Sequence, residues 1–242
     1  MNTTSAFITV VLVFSLATCR ASSDPEPARR AAKAHIIDKE TTQKVDVVAF
    51  RQGPDGPEGI TSSAKVILKP NPSREVRVAV YEEYSGGTGA QWRASVWMAS
   101  FLASMTQNVR MTDYEFAVSA GGFIDGPSAG ALITGAMVAT LAGANVREDV
   151  TMTGTINPDV TVGPVGGIPH KMRAAAKAGK KIFGFPLGQR YAEDLNTERL
   201  IDLHELAKEL GIEAKEVADI GEAFTLLTGR AVFVKMTGPR AQ

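Results

Sequence analysis

Cysteine is almost absent: Cys19 is the only one in 242 residues, so no intrachain disulfide can form and stability has to come from packing. Histidine is scarce too, and three scattered copies beside a single cysteine make no ligand cluster, so neither a resident metal nor another cofactor is expected. An excess of either charge is missing as well. The 26 Lys and Arg balance the 26 Asp and Glu, which removes the basic footprint of a nucleic-acid binder. No G-x-x-x-x-G-K-[ST] loop occurs, because the one Gly-Lys, Gly179-Lys180, has Ala174 where the first glycine would stand. No nucleotide-driven step is therefore expected of these residues.

What remains is the composition of a globular protein, with 44% hydrophobic and 21% charged residues, which argues against wholesale disorder. The length suits one domain of about 190 residues plus a leader. Ala6 to Ala17 is an apolar run followed by small residues and then Asp24-Pro25-Glu26-Pro27. At about 12 residues it is short of the roughly 20 a membrane helix needs, and it reads as the core of a secretory signal. Met1 to Ser5 lacks the usual positive charge. Leu16-Ala17-Thr18-Cys19 resembles a lipoprotein box with an atypical threonine, so lipidation of Cys19 and plain cleavage, for example after Ala21, both stay open. The expected division is a signal over 1–21, a linker over 22–43, a domain over 44–236 and a tail over 237–242. The expected location is outside the cytosol: periplasmic, secreted or lipid-anchored, with membrane association only in the case that Cys19 is lipidated.

Within the domain, Val45 to Arg51, Thr61 to Lys69 and Glu75 to Tyr81 alternate or cluster β-branched residues, and are expected to be antiparallel neighbours. Ala90 to Met105 carries Trp92, Val96, Trp97, Phe101, Leu102 and Met105 at helical spacing, with the tryptophans expected in the core. Tyr114 to Ser119 reads as a strand, and Ser128 to about Leu141 as a buried helix apolar on nearly every face. Strands over Asp149–Ile156, Lys181–Pro186 and Ile212–Val217 alternate with helices over Pro169–Ala178, Glu198–Leu210 and Ile220–Leu227. Antiparallel strands first and alternating strands and helices later make the fold class α+β, or mixed α/β.

Two residues stand out chemically. Ser128, in Asp125-Gly126-Pro127-Ser128-Ala129-Gly130, puts a hydroxyl at the first turn of an apolar helix, where free N–H groups and the helix dipole stabilise an alkoxide or an oxyanion. The plainer role is an N-cap. Asp125 is equally open between capping and tuning the charge of the site. In the later helix, Arg173, Lys177 and Lys180 cluster on one side as solvated surface, while Lys171 falls on the opposite face beside Ile168, Ala174, Ala175 and Ala178. A lysine there either snorkels to water or loses its proton and becomes a base.

Taken together, Asp125 to Gly130, then Met152-Thr153-Gly154-Thr155-Ile156, then Val165-Gly166-Gly167-Ile168-Pro169-His170-Lys171 with the Ala174 to Gly179 stretch, resemble the Lon protease proteolytic domain. The match is strong from about Phe123 to Pro186 and holds only in outline from Val45 to Arg110. The 43-residue separation of serine and lysine is the one that family uses. The resemblance implies a serine endopeptidase with Ser128 as nucleophile, Lys171 as base and Thr153 orienting the lysine. It further implies a polypeptide substrate and a ring-like homo-oligomer, commonly a hexamer. Cytosolic members often carry two histidines on the strand before the serine loop, where Tyr114 and Phe116 stand here.

Two other readings stay open. Gly126-Pro127-Ser128-Ala129-Gly130 also fits the G-x-S-x-G elbow of α/β-hydrolase esterases, which want a strand directly before the serine and a late histidine; only His204 would serve. A binding or scaffold protein that kept the fold without activity is the other.

Overall fold

The computed structural model describes residues 36–231. The expected signal, the lipidation candidate Cys19, most of the expected linker and the expected tail lie outside these residues. Within them run β1 (Thr41–Gly53), β2 (Gly56–Pro70), β3 (Val78–Glu82), α1 (Ala90–Thr106), β4 (Tyr114–Ala120), α2 (Gly130–Leu141), β5 (Val150–Met152) and β6 (Thr155–Ile156). They continue as β7 (Val162–Gly163), α3 (Ile168–Lys177), β8 (Ile182–Pro186), β9 (Tyr191–Asp194), β10 (Arg199–Asp202), α4 (Leu203–Leu210), β11 (Glu213–Val217) and α5 (Ile220–Thr228). The class is α+β, as its order of strands and helices implies.

The first sheet has the order β1-β2-β4-β3. β1 and β2 form a long antiparallel hairpin, and β2 pairs antiparallel with β4. β3 is not an antiparallel neighbour of β2 as its alternation suggested; β4 lies between them, parallel to β3. The cause is α1, since a strand, a helix and a strand in succession make a crossover that returns the chain parallel to itself. β1 also starts at Thr41, so the end of the charged linker stretch belongs to the sheet. The second sheet, β11-β8-β5, is parallel throughout.

Alternation on β1 divides the interior. Val45 and Val47 join a core built from the first sheet, α1, α2 and α5, while Val48 joins a smaller one with Ile168, Met172, Phe183, Phe185 and Leu206. α2 is buried along its whole length, which its apolar composition required. Its Thr134 and Thr140 donate to the carbonyls of Gly130 and Ala136 four residues back, so neither hydroxyl is left unpaired in the core.

α1 departs from expectation. Trp92, Val96 and Leu102 are buried, but Trp97, Phe101 and Met105 are exposed. The buried face carries Ser100 and Ser104 instead, whose hydroxyls donate to Val96 O and Ser100 O within the helix. Satisfied this way, small residues allow α1 to approach α2 closely, and the large side chains turn outward. The helix expected over Glu198–Leu210 begins only at Leu203. Asp202 caps it through His204 N, and the preceding residues form the β9–β10 hairpin.

Candidate active site

Ser128 is half-buried in a turn ahead of α2 rather than in the helix itself, because Gly130 N donates to Pro127 O and the first helical residue is Gly130. Its carbonyl is the hub of the site: Ser128 O accepts from Gly154 N at 2.7 Å and from Thr153 Oγ1 at 3.1 Å. Ala131 N in turn donates to Gly154 O at 3.0 Å. These bonds explain why the strand expected over Asp149–Ile156 is broken into β5 and β6. The Thr153 side chain and the Gly154 backbone hold the Ser128 turn, while Thr153 N keeps its bond to Gly184 O of β8 at 3.0 Å, and Gly154 has no room for a Cβ, which would meet Val162 Cγ1 at 2.4 Å.

Lys171 sits one turn into α3, which opens on Gly167 in the left-handed region and has proline in its first turn. The lysine is 3% exposed, and its Nζ donates to Thr153 Oγ1 at 3.2 Å. No carboxylate pairs with it among the described residues. Burial alone pushes its pKa down to about 8 from the ordinary 10.5. The single proton of the Thr153 hydroxyl goes to Ser128 O, so that oxygen can only accept from the amine. A neutral Lys171 therefore spends one N–H on Thr153 and keeps its lone pair free.

The three residues are thus joined through Thr153, but Ser128 Oγ makes no hydrogen bond to Lys171 or to any other group among the described residues. Such a contact commonly tightens only when substrate is bound. The amides of Ser128 and Ala129 have no acceptor among the described residues, whereas those of Gly130 and Ala131 are already engaged. Free donors at the site therefore precede the helix.

Phe50 is a residue the sequence did not single out. Its ring centroid lies 5.9 Å from Lys171 Nζ, and it packs so closely on Gly167 that a Cβ there would meet the ring at 2.4 Å. Alternation with Val48 places it on the α3 side of β1, which is the only hint the sequence carries.

Asp125 caps a helix, but α1 rather than α2. Its Oδ1 accepts from Gln91 N, Trp92 N and Gly126 N, and these amides, Gly126 first, hold its carboxyl below the usual range. Gly89 admits the carboxylate, since a Cβ would stand 2.0 Å from Asp125 Cγ. Tyr114 and Phe116 are buried in the larger core. Lys180 is not solvated surface: it is buried, paired with Asp46 and donating to Glu148 O. His204 lies on α4 against Phe185 and Glu216, and the residues directly before Ser128 form no strand. No strand leads directly into Ser128, and His204 makes no hydrogen bond to it. Among the described residues no His, Cys, Asp and Glu are grouped to hold a metal.

If Ser128, Thr153 and Lys171 act together, replacing Thr153 by valine should lower kcat about 10- to 100-fold through lost positioning of the amine, without unfolding the chain, because the two side chains have nearly the same shape and only the hydroxyl is lost. The hydroxyl also supports the ammonium, so the midpoint of the pH profile should move below 8. A pH–rate titration of the variant checks both.

The model of the Lon protease (S16) C-terminal proteolytic domain matches residues 100–223, a little over half of the chain and inclusive of Ser128, Thr153 and Lys171. Lon protease of Geobacter metallireducens is 40% identical over 96 residues, 40% of this chain and 11% of that protein. Lon protease of Desulforamulus reducens is 37% identical over 103 residues, 39% of this chain and 13% of that protein. Lon protease 2 of Sorangium cellulosum is 51% identical over 66 residues, 27% of this chain and 8% of that protein. The matched stretch spans about a tenth of the length of these relatives. With more than half its residues under that model, the chain belongs to the Lon protease (S16) proteolytic-domain family.

Proposed function

We propose that this chain is a serine endopeptidase that hydrolyses flexible or unfolded polypeptides without nucleotide, using Ser128 as nucleophile and Lys171 as base. The observation that carries the reading is the buried amine of Lys171, near pKa 8 and joined through Thr153 to the carbonyl of Ser128.

In the acylation step neutral Lys171 takes the proton of Ser128 Oγ as the oxygen attacks the scissile carbonyl carbon. The negative charge that develops on the carbonyl oxygen is met by the amides of Ser128 and Ala129. Collapse breaks the C–N bond, and the Lys171 ammonium returns the proton to the leaving amine. Water, deprotonated by the same amine, then attacks the ester and restores Ser128. No step calls on a metal or a nucleotide.

The proposal extends to setting. The run Ala6 to Ala17 would direct export, followed either by lipidation at Cys19 or by plain cleavage, for example after Ala21, while a ring-like homo-oligomer follows from the family resemblance alone. Cell fractionation should find the full chain in the envelope or periplasm; a cytosolic, unprocessed chain contradicts export.

The peptidase reading is tested by incubating purified protein with denatured casein in nucleotide-free buffer. New amino termini should form with the native serine and fall to background in Ser128→Ala. Equal cleavage by the two proteins would sink the assignment, and a folded chain without turnover would favour a binding protein.

A further inference from the structure

Outside the three residues already discussed, the most conspicuous unassigned feature is an aromatic pair on the nucleophile loop. Phe123, five residues before Ser128, is 77% exposed, and it stacks on Tyr84, itself 51% exposed, with centroids 5.7 Å apart and planes 10° from parallel. Neither ring contributes to the buried cores.

The pair is held by backbone rather than by packing. Ile124 N donates to Gly87 O at 2.7 Å, Gly89 N to Ile124 O at 2.9 Å, and Gly87 N to Tyr84 O at 2.9 Å. Gly122 N donates to Glu83 Oε2 at 3.1 Å. The two loops meet this closely at Gly87, where a Cβ would stand 2.9 Å from Tyr84 O and 3.0 Å from Gly122 O. Past Ile124, Asp125 fixes the chain to the start of α1, so the platform stands at a set distance from Ser128. Five residues of chain span at most about 17 Å. An extended peptide whose scissile bond lies at Ser128 therefore reaches the rings within about five residues.

We infer that Tyr84 and Phe123 form a substrate subsite that receives an aromatic or long aliphatic side chain of a bound polypeptide. The inference rests on the peptidase reading for what is bound. The exposed faces and edges of the two rings offer an apolar, quadrupolar surface suited to such a side chain. The Glu83 carboxylate beside them disfavours an acidic one. A preordered platform takes up such a side chain without a cost for ordering the loop.

Binding is measured in the Ser128→Ala background, so that the result does not depend on turnover, by fluorescence anisotropy with ten-residue peptides that carry one Phe among Gly, Ser and Ala. One position of the Phe should bind best, and adding Phe123→Ala should weaken that peptide about tenfold while leaving an all-small peptide unchanged. Phe123→Trp should retain the affinity. Both rings are largely exposed, so these variants should fold, which circular dichroism checks. Equal affinity of the Phe and all-small peptides, or no loss in Phe123→Ala, overturns the subsite. A change in sedimentation without a change in peptide affinity overturns it too and makes the pair a contact between copies. Casein hydrolysis by the protein with its native serine, run in parallel, reports on the peptidase reading separately.

Discussion

Lys171→Met should abolish peptide hydrolysis and at the same time raise the stability of the fold at pH 7. The two effects have one origin. Burial lowers the lysine pKa from 10.5 to about 8, and at about 1.36 kcal/mol per unit this is a penalty near 3 kcal/mol for the charged form in the folded state. Methionine is of similar length and carries no charge, so thermal or urea unfolding should show a gain of up to about 3 kcal/mol. The sign with pH follows from linkage. Because the folded pKa lies below the unfolded one, the unfolded chain binds more protons between about pH 8 and 10.5, and stability rises with pH across that window. The advantage of Lys171→Met should accordingly shrink from pH 7 towards pH 10.5. An unchanged or lower stability of the variant at pH 7 would mean that the lysine is solvated.

Gly59→Ala should damage the protein at the contact between β2 and α3. A Cβ at Gly59 would stand 1.9 Å from the carbonyl oxygen of His170 and 2.7 Å from its carbon, so β2 and α3 would have to separate. Neither atom is the end of a flexible side chain. The same contact is sealed by Thr61 Oγ1 donating to Ala174 O, and Lys171 is the next residue after His170. A loss of about 3 kcal/mol or more is expected, at the upper end of overpacking costs, with hydrolysis lost alongside. Gly166→Ala is the control, since nothing lies within 4 Å of a Cβ there and its backbone is outside the left-handed region; it should change stability by less than about 0.5 kcal/mol.

Much of the site could be read from the sequence because it lies on one helix and one turn. Helical periodicity alone put Lys171 on the apolar face of α3, away from Arg173 and Lys177. The same projection failed for Lys180, because α3 ends at Lys177 and Gly179 turns the chain at φ +82, so the wheel does not extend that far. Composition starts α2 two residues early for a related reason: it cannot reveal that Gly130 N bonds Pro127 O and keeps Ser128 in a turn.

What depended on distant contacts was not legible. Phe50 and Lys171 are 121 residues apart in sequence and meet only because the β1–β2 hairpin packs on α3. Asp125 carries an ordinary capping side chain, and nothing local says that the helix it caps is α1. The position of β4 between β2 and β3 likewise depends on a crossover, since alternation fixes which side of a strand is buried and leaves its neighbours open. Hydrophobicity alone puts Trp97 in the core, whereas the close helix contact that Ser100 and Ser104 allow leaves it exposed.

The most direct test of the Ser128–Lys171 pair is the rate at which a fluorophosphonate acylates Ser128 as a function of pH, with the labelled peptide mapped by mass spectrometry. If Lys171 is the base, the rate should rise about tenfold between pH 7 and pH 9 with a midpoint near 8, following its neutral fraction. In Lys171→Met it should be slow and flat over the same range. A pH-independent rate in the native chain, or labelling of Lys171→Met as fast as the native chain, would contradict the pairing.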